Sequence, residues 1–183
     1  MIELYAIARH PGPPLPDLAQ LRAVPSNGLA ALCGPAADEG ETTEEALWRH
    51  EEIVEALMLD RDLLPVRYGT RLADEQAAAD AVAERRGELL AALEHVRGAV
   101  ELSLRVRARS PGRAPELHAL RSLARDQVER PGRDEHELLR AAYLVDRDAV
   151  ERFSEEVARL QDANPELALL LTGPWPPYSF SQR

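Results

Sequence analysis

Apolar and polar residues alternate from the first position. Ile2, Leu4, Ala6 and Ala8 fall on one side of an extended chain, with Glu3, Tyr5, Ile7 and Arg9 on the other. That period of two predicts a strand over Met1–Ala8 with one covered face. His10 to Pro16 holds four prolines and a glycine and predicts a loop, because proline cannot donate to a ladder. The weak stretch Asp17–Ala23, with Leu18 and Leu21, predicts at most a short helix. Leu29–Cys33, a short apolar run between Asn27-Gly28 and Gly34-Pro35, predicts the second strand.

Helical spacing follows. Thr42 and Glu45 form a capping box ahead of Ala46, Leu47, His50, Ile53, Val54, Leu57 and Met58. Leu63–Tyr68 reads as a strand whose Pro65 points to a strand start, an edge or a bulge. Asp74 caps a second long helix with a stripe of Ala78, Val82, Leu89, Leu93 and Val96, ended by Gly98. Val100–Ala108 alternates again, apolar residues inward and Glu101, Ser103, Arg105 and Arg107 outward.

Four strands and two helices predict an α+β domain over residues 1–110, a ferredoxin-like antiparallel sheet with helices on one face. One departure is expected: a proline loop stands where that plan puts its first helix. Ser110-Pro111-Gly112 breaks the chain, and residues 111–183 predict a smaller α/β domain. Its expected elements are a helix around Pro115–Glu129, a break at Pro131-Gly132, and a strand ending at Val145 whose start, His136–Arg140, reads as helix or strand. A helix from Asp148 and a last strand, Leu167–Thr172, precede a proline-aromatic tail.

With 183 residues the chain can bury a core without disulfide or metal, and its composition is that of a globular protein. A net charge of -10 disfavours nucleic acid and anionic membranes as partners. All 22 basic residues other than histidine are arginine. The single cysteine, Cys33, fits a reducing cytoplasm and an apolar filler role. Neither a signal-like start nor an apolar run of about 20 residues is present, so a cytoplasmic location without membrane contact is expected.

Three passages carry a family resemblance: LYAI at the start, RHEEIVEAL followed by LLPVRYGT in the middle, and AAYLVDRDAVERF followed by LTGPWPPYSF at the end. GPWPPYSF, Gly173–Phe180, is the most specific. Together they resemble the gas vesicle protein GvpL/GvpF family across nearly the whole chain. The resemblance implies a non-catalytic accessory protein, without cofactor, that contacts the shell protein GvpA and other accessory proteins and stays as a minor vesicle component. It also implies a ferredoxin-like N-terminal domain and a smaller C-terminal one. The region between Ala108 and Tyr143 is shorter than in commoner members, which bears on any partner surface carried there.

Chemistry motifs are few. His50-Glu51 lacks the second histidine of a zinc-protease helix, since Val54 stands there, and the other histidines lie apart from any cysteine cluster, so no metal site is expected. Walker, GxGxxG and GxSxG patterns are absent. His50 reads as a hydrogen-bonded histidine at the edge of the buried stripe; the rival reading makes it the acid-base group of a small-molecule enzyme or regulatory ligand-binding module. The acidic face of Glu44, Glu45, Glu51, Glu52 and Glu55 reads as solvated or as a docking face. Candidate partner contacts are Arg67, Arg105 and Arg107, as a dock for an acidic segment, and Trp175, Tyr178 and Phe180 on the proline-stiffened tail. Each has a plainer alternative, arginine stems covering apolar surface and tail aromatics packing on their own domain.

Overall fold

The computed structural model describes residues 1–36, 43–108 and 116–181. Thr42, the expected cap, and the break at Ser110-Pro111-Gly112 lie outside these ranges. The fold is α+β, with two antiparallel sheets and five helices among the described residues, and the chain divides into two compact units, Met1–Arg97 with Phe180–Arg183, and Gly98–Ser179.

The first unit is built around β1 (Ile2–Arg9). It pairs antiparallel with β3 (Leu29–Pro35) on one side and with β4 (Leu63–Pro65) and β5 (Arg71–Leu72) on the other. Among the described residues β2 (Arg22–Ser26) pairs only with β3, giving the order β2-β3-β1-β4. β3 and β4 both run antiparallel to β1, which lies between them, and are joined by α1 (Thr43–Met58). This is the split β-α-β of a ferredoxin-like sheet, with a loop in place of the first helix. Both alternating sets of β1 are buried from Glu3 to Ala8, where one covered face was expected.

β2 is an element the apolar pattern missed. Asp17–Ala23 forms no helix: Ala19 and Gln20 take positive φ, and the strand begins at Arg22. Asn27 and Gly28, at φ 50 and 84, make the tight turn of the β2–β3 hairpin, where both central residues need left-handed backbone. The two edge strands each contain a proline, Pro25 and Pro65, at positions where a missing donor is tolerated.

α1 buries Ala46, His50, Ile53, Val54, Leu57 and Met58, while Leu47, expected in that stripe, is exposed beside Trp48. Each fully buried aliphatic contributes roughly 1.5–3 kcal/mol. The expected long helix after Asp74 is two: α2 (Glu75–Glu84), whose first turn is capped by Asp74 accepting from Ala77 N–H at 2.9 Å, and α3 (Arg86–Val96). Arg85 leaves helical geometry at ψ 15, and Gly87, a weak helix former, stands two residues on. Gly98 ends α3 at φ +69.

The second unit contains β6 (Ala99–Ala108), α4 (His118–Leu123), β7 (Asp126–Pro131), β8 (Glu137–Asp146), α5 (Val150–Ala163) and β9 (Leu167–Trp175). Its sheet runs β7-β8-β6-β9, all antiparallel. β6, expected to complete the first sheet, is instead an inner strand of the second. One face packs Leu102, Leu104, Val106 and Tyr143 against Phe153 and Val157 of α5, with the Tyr143 and Phe153 rings 5.1 Å apart. Of the helix expected around Pro115–Glu129, Pro115 lies outside the described residues, α4 takes His118–Leu123, and Asp126–Glu129 belongs to β7. Glu137–Arg140, left open between helix and strand, belongs to β8.

Candidate functional site

Residues directly opposite in an antiparallel pair share a face. On the face of the second sheet away from its core this produces three rows across the strands. Arg130, Arg140, Arg105 and Leu170 stand side by side on β7, β8, β6 and β9. The next row is Val128, Ala142, Ser103 and Thr172; the third is Asp126, Leu144, Glu101 and Trp175. Small side chains in the middle leave a shallow groove, a cavity of ≈ 590 Å³ walled by the arginine row with Arg133 on one side and by Glu101 and Trp175 on the other.

The arginines are unequally engaged. Arg107 pairs with Asp134 at 3.3 Å. Arg140 lies 3.6 Å from the buried Glu137 carboxylate and donates to the Pro131 carbonyl at 3.4 Å. Arg105, Arg130 and Arg133 are exposed and have no ion-pair partner among the described residues. Three arginines in direct lateral register repel one another, and with Glu137 beside Arg140 and Glu101 within the field of Arg130 the row still carries more positive than negative charge on a chain whose net charge is -10.

The β7–β8 turn fixes one end of the row. A Cβ at Gly132 would lie 1.2 Å from the Glu137 carbonyl oxygen, so glycine alone fits. Asp134 accepts from the N–H groups of His136 and Glu137, both at 2.9 Å, and these bonds, with Arg107, hold its carboxyl below the usual range. The opposite wall is fixed by Glu101, whose Oε2 accepts from Ser179 N–H at 2.8 Å and Oε1 from the Ser179 hydroxyl at 2.9 Å. Burial pushes the Glu101 carboxyl up, against the opposing pull of those two bonds. Trp175 donates from Nε1 to the Thr172 hydroxyl at 3.2 Å and keeps 40% of its surface exposed; Leu170 keeps 57%.

Of the residues singled out from sequence, Arg105 and Trp175 therefore meet in one groove, with Arg107 turned toward the hairpin. Tyr178 is half-buried on the tail. Phe180 is a correction: it has no exposed surface and lies in the first unit, its ring 6.5 Å from that of His95, so it packs and is not available as a partner contact. Arg67 does not share a sheet with Arg105, because β4 pairs with β1; it is exposed in the turn after β4, beside a cavity of ≈ 310 Å³ with Leu4, Val66 and Leu72. Arg130, Arg133, Arg140 and Leu170 were not legible as site residues: Arg140 and Leu170 reach Arg105 through the registers of β8 and β9 on β6, and Arg130 and Arg133 through β7 and its turn, a strand the pattern does not reveal.

His50, the candidate acid-base group, sits at 1% exposure with Nδ1 2.8 Å from Glu3 Oε1 and Nε2 2.8 Å from the Val66 carbonyl. A carbonyl only accepts, so Nε2 carries a proton and Nδ1 shares one with Glu3. Both ring nitrogens are occupied, and the partner carboxylate is Glu3, not the adjacent Glu51. Cys33 is buried, and burial pushes its thiol up. Among the described residues no three His, Cys, Asp or Glu side chains converge to hold a metal, and no helix is long and apolar enough to cross a membrane.

The family model for gas vesicle synthesis protein GvpL/GvpF matches residues 3–117 and 113–182. The chain is 26% identical to gas vesicle protein F2 of Halobacterium salinarum, over 76% of this chain and 70% of that protein. It is 25% identical to gas vesicle protein F of a Streptomyces species, over 97% and 98%. Crystal structures of GvpF from Anabaena and from Microcystis aeruginosa superpose with TM-scores of 0.83 and 0.81 at 18% identity, covering 100% of this chain and 96% and 99% of theirs. At that identity they speak to the fold.

Proposed function

As the chain belongs to the gas vesicle synthesis protein GvpL/GvpF family, with the gas vesicle assembly role that membership implies, we propose that it acts by binding the shell protein GvpA or other accessory proteins, without catalysis. Subunits that build a water-repelling wall aggregate if released unprotected, so a protein that holds or places them meets a physical need. The observation that carries this reading is the open groove of the second sheet, where arginine and tryptophan, the residues most often central to protein interfaces, stand exposed together. Cytoplasm and vesicle surface are the compartments this work requires.

The enzyme reading loses its main support, because His50 has neither a free nitrogen nor access to solvent. Immobilising the full chain and passing purified GvpA and each accessory protein over it tests the proposal. Saturable capture of at least one, together with loss of vesicles when the gene is deleted, is the expected result. Capture of none, with normal vesicles in the deletion, overturns it.

A further inference from the structure

We infer that the groove receives an extended acidic segment of a partner protein, laid across the strands of the second sheet, with alternate carboxylates on the arginine row and a flanking apolar side chain against Trp175. This deepens the reading above and rests on it.

The geometry sets the chemistry. Neighbouring strands lie about 4.8 Å apart, so Arg130, Arg140 and Arg105 span roughly 10 Å. Alternate side chains of an extended peptide stand about 6.6–6.8 Å apart on one side. Two such carboxylates fall within reach of three long, forked guanidinium groups, which pair with carboxylates in two-bond fashion. At the β9 end of the segment, beyond Arg105, a flanking apolar residue turned to the opposite wall meets the exposed Trp175 ring, whose indole N–H is already engaged with Thr172. The floor of Ser103, Ala142 and Val128 is low enough to admit a backbone.

Charge complementarity selects the occupant. Arg105, Arg130, Arg133 and Arg140 line the groove against one lining carboxylate, Glu101, which is held by Ser179, while Glu137 contacts Arg140 from outside the lining. Guanidinium groups also take a free phosphate, but Arg130, Arg140 and Arg105 stand on three successive strands and spread over roughly 10 Å, which suits several linked anions better than one small ion. Glu101 and Trp175 on the opposite wall favour a segment that carries apolar side chains beside its carboxylates over a uniformly charged phosphate backbone.

The test uses the full chain and a fluorescein-labelled peptide, Gly-Glu-Leu-Glu-Leu-Glu-Gly, beside its twin with glutamine for glutamate. The expected result is that the glutamate peptide binds at least tenfold tighter, that millimolar inorganic phosphate fails to displace it, and that an Arg105→Gln/Arg130→Gln variant loses at least tenfold in affinity. That variant should also melt no lower than wild type, because lateral repulsion is relieved, whereas arginines serving only to cover apolar surface would leave it less stable. Equal binding of the two peptides, unchanged binding by the variant, or displacement by phosphate overturns the inference. So does self-association that disappears in the variant, since the occupant is then a second copy. Capture of GvpA or accessory proteins by wild type and variant alike sinks the inference and leaves the proposed function standing. Peptide binding as expected with no such capture sinks the proposed function instead.

Discussion

Glu101 and Ser179 are joined by two hydrogen bonds, one to each carboxylate oxygen, at 2.8 and 2.9 Å. Through them a strand residue fixes the tail that follows Pro177. The carboxyl pays for its burial with a raised pKa. Its folded-state value lies above the unfolded one, so the native state holds the proton more tightly. The stability it contributes is therefore fully present below the ordinary glutamate value, about 4.3, and is lost as pH rises through the folded pKa.

Glu101→Gln keeps an acceptor for the Ser179 N–H and removes the titration. Denaturant unfolding of wild type and variant from pH 4 to 7 should show the variant gaining relative stability as pH rises. Glu101→Ala, which strips that N–H of its partner, should cost about 1–3 kcal/mol at pH 7. A difference between Gln variant and wild type that stays flat across this range would exclude the linkage.

The buried pair of His50 and Glu3 makes the opposite kind of prediction. Removing one partner leaves the other buried and uncompensated, so His50→Ala should destabilise by about 3–5 kcal/mol. Replacing both by leucine should recover much of the loss, because two apolar groups carry no desolvation cost there. Equilibrium unfolding in urea measures both. A His50→Ala variant as stable as wild type would remove the structural role and reopen the acid-base reading.

Much of this fold was legible. The strand at β1, the alternation of β6, most of the α1 stripe and the Asp74 cap follow from period and cap, and Pro65, which reads as a strand start, an edge or a bulge, stands on an edge strand. The sequence concealed what depends on pairing. Asn27-Gly28 is a strong hairpin signal, yet Pro25 and the sparse apolar content of Arg22–Ser26 hid the strand before it. β6 alternates equally well for either sheet, and only its partners β8 and β9 decide. The arginine row shares that origin: Arg105 stood out by its strand period, while Arg130 joins it only through two registers that no local pattern encodes.

Gly173 begins the family-like tail with φ +118, and a Cβ there would sit 2.8 Å from the Glu101 carbonyl oxygen. Both backbone and contact exclude a side chain. Gly173→Ala should lower stability by about 1–3 kcal/mol and, by displacing Trp175, weaken capture of whichever vesicle protein binds the groove. Thermal melting and the capture assay read the two effects separately. A variant that melts normally would show that the turn relaxes without loss.

Phe180 and Trp175 divide the tail's work, and paired alanine variants separate the parts. Phe180 has no exposed surface, so truncation removes a full aromatic from a packed interior and should cost about 3–5 kcal/mol. Trp175 retains 40% exposure and one hydrogen bond to Thr172, so its truncation should cost much less stability while reducing partner capture several-fold. The contrast is informative because both residues belong to one short, proline-stiffened run, and a general loosening of the tail would move stability and capture together in both variants. Opposite patterns, stability lost at Phe180 and binding lost at Trp175, are expected if the buried ring anchors the tail and the exposed one meets the partner. Capture that survives Trp175→Ala unchanged would place the partner's apolar contact elsewhere on the chain.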